Sequence, residues 1–112
     1  MNLELSKAIN HCEYLKEVKK DCLCKGDQVF LKTQNSIYLL NVEGDEEYIV
    51  SGGWFDKHNM SPTKVKINGC TWGGSILKYD IVAACGLFLE FNNKLTTSKI
   101  QKIIIIPKKC LN

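Results

Sequence analysis

The sequence contains no arginine, since all fifteen of its cationic residues are lysines. Arginine carries the planar fork of donors that reads guanine and grips phosphate through two bonds, whereas lysine offers a single mobile charge. The net charge of +3 is also a small surplus. Both features argue against sequence-specific recognition of nucleic acid. A low-specificity nucleic-acid-binding protein remains an alternative, because the lysines and aromatic residues together could form a basic, base-stacking surface.

Long apolar runs and phosphate-binding motifs are missing too. No apolar stretch approaches the roughly 20 residues that a membrane-spanning helix needs. The first residues, Met1 to Leu5, show no basic region followed by an apolar one, so we expect no secretory signal and a cytoplasmic protein. The glycine pairs Gly52-Gly53 and Gly73-Gly74 belong to no Walker or dinucleotide fingerprint. We therefore predict neither a membrane partner nor a cofactor.

The six cysteines stand at positions 12, 22, 24, 70, 85 and 110. Without a secretory signal, reduced thiols are the default and we expect no disulfides. His11-Cys12 and Cys22-Leu23-Cys24 offer soft metal ligands, but paired cysteines in structural zinc sites are usually spaced by two to four residues. Adjacent helical residues such as His11 and Cys12 also point about 100° apart. We predict no metal site.

An amphipathic pattern runs from Ser6 to Lys20. Ser6 suits an N-cap, and one face collects the apolar residues Ala8, Cys12, Leu15 and Val18 at helical spacing. Lysines crowd the C-terminal end of the segment, where the helix dipole favours them. The pattern predicts an N-terminal helix over residues 6–20, which ends before Gly26.

From Gln28 onward the pattern is that of strands, rich in β-branched and aromatic residues and divided by turn signals. The predicted strands are Gln28–Thr33, Ser36–Val42, Glu47–Phe55, Lys64–Asn68, Ser75–Tyr79, Ala83–Phe91 and Ile100–Ile106, of which the first three form an antiparallel meander. We predict a single domain over residues 1–112. It is α+β but mostly β, with the N-terminal helix followed by a six- or seven-stranded antiparallel, barrel-like sheet over 28–106.

Two predicted strands are apolar on both faces, namely Ile37–Val42 and the run of four isoleucines. A strand with one solvated face should alternate, so both faces of these strands need cover. A second subunit would supply it, because a bare isoleucine strand invites edge pairing. The sequence thus predicts a homodimer with an interface at Ile103, Ile104, Ile105 and Ile106. Two central strands lying between sheet and helix are the alternative.

Both tryptophans adjoin a glycine pair. Glycine within a strand pattern marks a bulge, a bend or a close approach. We expect two bent strands whose bared backbone is covered by the indole rings. Together with nearby polar side chains, the rings predict a shallow aromatic pocket for a ligand, formed by Trp54, Asp56, His58, Trp72 and Tyr79. The alternative is that the tryptophans fill the core.

No recognisable motif carries catalysis. Asp56 or Asp80 would have to meet His58 for acid–base work, and Cys70 would need a thiolate-stabilising neighbour to be a nucleophile. No spacing fixes these contacts, so we assign no catalytic residue, and no segment identifies a family. The leading hypothesis is a small, non-catalytic, β-barrel-like module that binds a small molecule or a protein partner. A nucleic-acid-binding protein and a small Asp/His/Cys enzyme are the alternatives.

Overall fold

The computed structural model describes residues 16–72 and 77–108. In this part the chain is mostly strand, and its strands form a curled antiparallel sheet shaped like half a barrel. The elements are β1 (Glu17–Lys19), a 3-10 turn (Lys20–Cys22), β2 (Gln28–Thr33), β3 (Ile37–Gly44), β4 (Glu47–Gly52), α1 (Gly53–Lys57), β5 (Thr63–Thr71), β6 (Leu77–Lys78), β7 (Ile81–Ala84), β8 (Phe88–Phe91) and β9 (Ile100–Ile106).

The predicted N-terminal helix is wrong where the structure describes it. Residues 17–19 form β1, which pairs antiparallel with β7 so that Val18 lies opposite Ala83. The amide of Cys85 donates to the carbonyl of Lys16 at 2.8 Å, so the backbone bonds of this segment go across to β7 and not along a helix. Residues 6–15 of the predicted helix lie outside the described residues. The only helix of the described ranges is α1, which is short and lies mid-chain.

The predicted meander is confirmed. β2, β3 and β4 pair in sequence. β5 and β6 extend the sheet on one side and β9 pairs with β2 on the other, which gives the order β6-β5-β4-β3-β2-β9, with β8 also pairing with β5. β2 has the predicted bounds. Alternation explains the core, because every second residue from Val29 to Thr33, from Tyr38 to Val42 and from Tyr48 to Val50 is buried.

Glycines with positive φ shorten one predicted strand and divide another. Glu47–Phe55 stops at Gly52, because Gly52 (φ 92°) and Gly53 (φ 46°) turn the chain into α1. Ala83–Phe91 is divided between β7 and β8 by a turn in which Gly86 has a φ of 87°. Positive φ suits glycine because it has no Cβ.

At Gly52-Gly53 the predicted cover by a tryptophan ring is not found, and the second glycine pair, Gly73-Gly74, lies outside the described residues. A Cβ on Gly53 would lie 2.2 Å from the ring of Tyr38, so the ring packed against this bare backbone is a tyrosine. Tyr38 and Phe91 flank Phe55 of α1, which is fully buried and meets Phe91 edge-on at 5.3 Å. α1 therefore anchors to the core through Phe55, while Trp54 is only half-buried.

The isoleucines of β9 are partly covered within the single chain. Ile103 and Ile106 are fully buried, and Ile104 and Ile105 are half-buried. β9 is nevertheless an edge of the sheet, since among the described strands it pairs with β2 alone.

Candidate functional site

The five predicted ligand-binding residues form two separate groups. Trp54, Asp56 and His58 lie on or beside α1, which precedes β5, whereas Trp72 and Tyr79 follow β5 and β6. No ring contact joins the two groups among the described residues. The described contacts therefore do not bring the five residues into one pocket, and ligand binding by either group stays a prediction.

In the first group, each polar side chain serves the local backbone. A hydrogen bond from the Ser61 side chain lowers the pKa of Asp56, and so does the Gly52 amide, which donates to the Asp56 carboxylate at 3.0 Å. His58 stacks on Trp54 with ring centroids 4.2 Å apart, and its Nδ1 lies 2.8 Å from the Trp54 carbonyl. Asp56 thus fixes the start of α1 and does not orient the imidazole for acid–base work.

In the second group, the aromatic rings lie open to solvent. Trp72 is 56% exposed and Tyr79 is 72% exposed. The Lys78 ammonium lies 5.2 Å from the centre of the Trp72 ring and 3.8 Å from a carboxylate oxygen of Glu17. This is a surface with a cation–π pair, in which exposed contacts are worth about 0.5–1 kcal/mol.

The candidate nucleophile Cys70 is sealed inside the protein. Its side chain is fully buried and its thiol lies 3.5 Å from the Val82 carbonyl. Burial raises the pKa of Cys70 to about 12. A thiol is nucleophilic only as the thiolate. At neutral pH Cys70 is a protonated thiol that packs in the core.

A third location, which sequence reasoning missed, is the gap between β9 and β1. The β1–β7 ribbon is a two-stranded sheet of its own. At one end it is joined to β9, because the Gly86 amide donates to the Ile100 carbonyl and the Ile100 amide donates to the Leu87 carbonyl, both at 2.8 Å. Beyond that junction no strand pairing links β1 to β9 in the described ranges. The half-barrel is therefore open along one seam.

The side of β9 that faces the seam can be worked out from the hydrogen-bond alternation. Thr33 of β2 bonds to Ser36, on the β3 side. Alternate residues of β2 therefore bond to β9, and the register pairs Phe30 with Ile104. It follows that the backbone groups of Ile103 and Ile105 point away from β2 and into the seam.

The same reasoning applies to β1. Lys16 and Lys20 bond to the β7 side, to Cys85 and Asp80 respectively. Glu17 and Lys19 consequently direct their amides and carbonyls away from β7, toward β9. Two strand edges, whose outward backbone groups have no strand partner among residues 16–72 and 77–108, thus face each other across the seam.

Two adjoining depressions fill the space between these edges, and we call them together the seam groove. The wide half has a volume of about 590 Å³ and is lined by Cys22, Cys24, Lys25, Asp27, Ile105, Pro107 and Lys108. The narrow half, of about 350 Å³, shares Cys22 and Ile105 with it and adds Glu17, Val18 and Lys19.

The charge of the seam groove comes from lysines. Asp27 is buried, and its carboxylate oxygens accept the amides of Cys24 at 2.9 Å and Lys108 at 3.0 Å. The Glu17 carboxylate forms an ion pair with the Lys78 ammonium at 3.8 Å. No ion pair is found for Lys19, Lys25 or Lys108 in the described part of the chain. The free charge beside the groove is therefore positive.

Comparison of the chain with protein-family models, with curated proteins and with solved structures finds no match in any of the three. Over the described ranges, no helix has the length and apolar character to cross a bilayer. Within the same residues, no three His, Cys, Asp or Glu side chains are grouped so that they could hold a metal ion.

Proposed function

We propose that this protein is a non-catalytic interaction module that binds an extended, acidic segment of a partner protein in the seam groove. The observation that carries the proposal is that the edges of β1 and β9, neither of which pairs with a further strand in the described part of the chain, face each other across one groove. An exposed edge is a template for a further strand, and peptide recognition by strand addition uses such edges.

The direction of the two strands supports insertion between them. The start of β1 and the start of β9 lie at the joined end of the seam, and Cys22 and Ile105 lie together at the other end. β1 and β9 therefore run the same way. A single inserted strand that runs antiparallel to both would bond to Ile103 and Ile105 on one side and to Glu17 and Lys19 on the other.

The chemistry of the groove supports an acidic partner. Lys19, Lys25 and Lys108 flank it without ion-pair partners in the described ranges, whereas Asp27 is committed to backbone amides. Alternate residues of an inserted strand point to opposite faces, so apolar side chains would meet the core beside Val18 while acidic ones meet the lysines. Carboxylates on the partner segment would raise the association rate and fix the orientation of the segment in the groove more than they would raise the affinity.

A protein segment fits this geometry better than a small molecule. The predicted aromatic pocket is divided between two places, and the groove presents backbone donors and acceptors in rows. A cytoplasmic location is part of the proposal, because Cys22 and Cys24 are exposed free thiols, and such thiols persist in reducing compartments.

The test is fluorescence anisotropy with a labelled seven-residue peptide of alternating glutamate and isoleucine. We expect saturable binding that weakens with salt, and little binding of the lysine–isoleucine analogue or of a backbone N-methylated copy. Ile105→Pro removes an amide that faces the seam and leaves the bonds to β2 intact, so it should weaken binding about tenfold, the equivalent of one hydrogen bond.

Charge reversal supplies the matched control. Lys25→Glu should weaken binding of the acidic peptide, whereas Lys64→Glu, an exposed lysine of β5 outside the groove, should not. Equal binding of the N-methylated peptide, or no effect of Ile105→Pro, would refute strand addition. Light scattering could instead find a dimer that Ile105→Pro dissociates. In that case a second copy of this chain occupies the groove, in agreement with the homodimer prediction, and the acidic-partner proposal is wrong.

A further inference from the structure

The face of the sheet that points away from the core carries a row of apolar side chains. Phe30 of β2 lies opposite Leu39 of β3 on one side and opposite Ile104 of β9 on the other, so the row crosses three strands. Directly opposed residues of antiparallel strands point to the same face. Leu31 and Ile103, which are the next residues along their strands, are fully buried in the core. Because side chains alternate along a strand, the row lies on the outer face.

Two more isoleucines extend this row into a patch. Ile37 precedes Leu39 by two residues, so it points to the same face, and it is 60% exposed. Ile49 of β4 also lies on the outer face, because its neighbours Tyr48 and Val50 are buried in the core. We call the patch the outer stripe, and its residues are Phe30, Ile37, Leu39, Ile49 and Ile104.

The outer stripe accounts for the two strands that are apolar on both faces. The sequence predicts that both faces of such strands need cover. The inward side chains of β3 and β9, such as Leu40 and Ile103, reach the core. The outward side chains, such as Leu39 and Ile104, lie apart from the core cluster and stay partly exposed. A contiguous apolar patch of this kind marks an interaction surface.

The two ends of this face carry opposite charge. Four acidic side chains lie at the turn between β3 and β4, namely Glu43, Asp45, Glu46 and Glu47. Lys25 and Lys66 lie close to this turn, and the sum of the charges there stays negative. The opposite end is basic, because the Gln34 amide donates to the Lys99 carbonyl at 3.0 Å and so places the start of β9 beside Lys32. In the described part of the chain, no ion pair is formed by Lys32 or by the acidic turn.

We propose that two copies of this chain associate face to face through the outer stripe, with their strands running in opposite directions. In a two-fold contact the same surface of each copy meets the other, so the apolar rows cover each other. The opposed orientation brings the acidic turn of each copy to the lysine end of its partner. Strands running in the same direction would instead bring lysine to lysine. Charge complementarity therefore fixes the orientation of the pair.

The size of the face predicts a weak dimer. The longest of its strands, β3, has 8 residues. The strands β9, β2, β3 and β4 are spaced by about 4.8 Å, so the face measures about 20 Å by 27 Å. Two such faces bury about 1,000 Å² in total, at the lower bound of specific interfaces. We expect a dissociation constant in the micromolar range.

Sedimentation velocity over a range of protein concentrations tests the dimer. Leu39→Glu places a carboxylate in the middle of the outer stripe. It should weaken association at least about a hundredfold, because the contact would bury a charge without a partner. Tyr79→Glu is the matched control, since it makes the same kind of change at a 72% exposed ring outside the stripe and should leave association unchanged. Circular dichroism checks that both variants keep the fold.

Charge exchange tests the orientation and leaves the apolar residues as they are. Lys32→Glu and Glu43→Lys should each weaken the dimer about threefold to tenfold, because each contact occurs twice in a two-fold pair. The double variant, in which both charges are exchanged, should recover the affinity of the parent protein.

A chain that stays monomeric at its highest soluble concentration, or a dimer that Leu39→Glu leaves intact, would overturn the proposal. A double variant no better than the single variants would overturn the opposed orientation. Ile105→Pro changes the seam groove and should leave this dimer intact. A dimer that Ile105→Pro dissociates and Leu39→Glu does not would lie in the groove and not on the outer stripe, so failure of this proposal is distinguishable from failure of the partner-segment proposal.

Discussion

Replacing Gly69 by alanine tests whether close backbone approach shapes the curled sheet. Gly69 lies in β5 with a φ of 145°, and a Cβ built there would be 2.1 Å from the backbone carbonyl oxygen of Lys78. A Cβ atom essentially never lies this close to a backbone oxygen in a folded protein, so β6 would have to move away from β5. The control is Gly86→Ala, because Gly86 also has a positive φ, of 87°, but nothing lies within 4 Å of its Cβ.

The two substitutions share the cost of a positive φ, which is about 1–2 kcal/mol for alanine. Both also gain about 0.4–1 kcal/mol, because alanine restricts the unfolded chain more than glycine. Only Gly69→Ala adds overpacking, which costs about 1–3 kcal/mol. We therefore expect Gly86→Ala to lower the free energy of unfolding by about 1 kcal/mol and Gly69→Ala by about 2–4 kcal/mol.

Urea denaturation followed by circular dichroism measures both values. Trp72, at the end of the same strand, should also report the shift of β6 through its emission, because Lys78 lies over its ring. Equal destabilisation by the two variants would show that a methyl group at position 69 meets no hindrance from β6. That result would refute the argument that close backbone approach shapes this part of the sheet.

Two further predictions concern buried groups. The pKa of Cys70 rises from 9.0 to about 12 on folding, so the unfolded chain loses this proton first and stability falls as pH rises from about 9 to 12. Cys70→Ala should reduce that decline by at most about 1.4 kcal/mol per pH unit, measured as the slope of unfolding free energy against pH. Asp27→Ala should lower the unfolding free energy by about 2–4 kcal/mol in urea, because two backbone amides lose their charged acceptor. Asp27→Asn, which keeps an acceptor oxygen, should lose less.

The central strands could be predicted because their information is local. Alternation over Gln28–Thr33 and the polar residues between β3 and β4 identify a hairpin without knowledge of the rest of the chain. Gly44, Asp45 and Glu46 indeed take positive φ values in that turn, of 91°, 54° and 63°. Each such signal is complete within about ten residues, and the distant contacts of these strands agree with it.

The N-terminal segment could not be predicted because its structure is decided elsewhere. A single buried residue, Val18, satisfies both a helical and a strand period over the described end of the segment. What selects the strand is β7, whose four residues are all buried and whose backbone needs a partner on the β1 side. That requirement comes from residues more than sixty positions away, and no local pattern contains it.

The seam groove was hidden for a similar reason. It is a gap, and its two sides come from Val18 and Ile105, at opposite ends of the sequence. The run of isoleucines in β9 was the available signal, and it predicted an interface between subunits, which stays a prediction. Ile103 and Ile106 are buried in the single chain, and the backbone groups of Ile103 and Ile105 point into the seam.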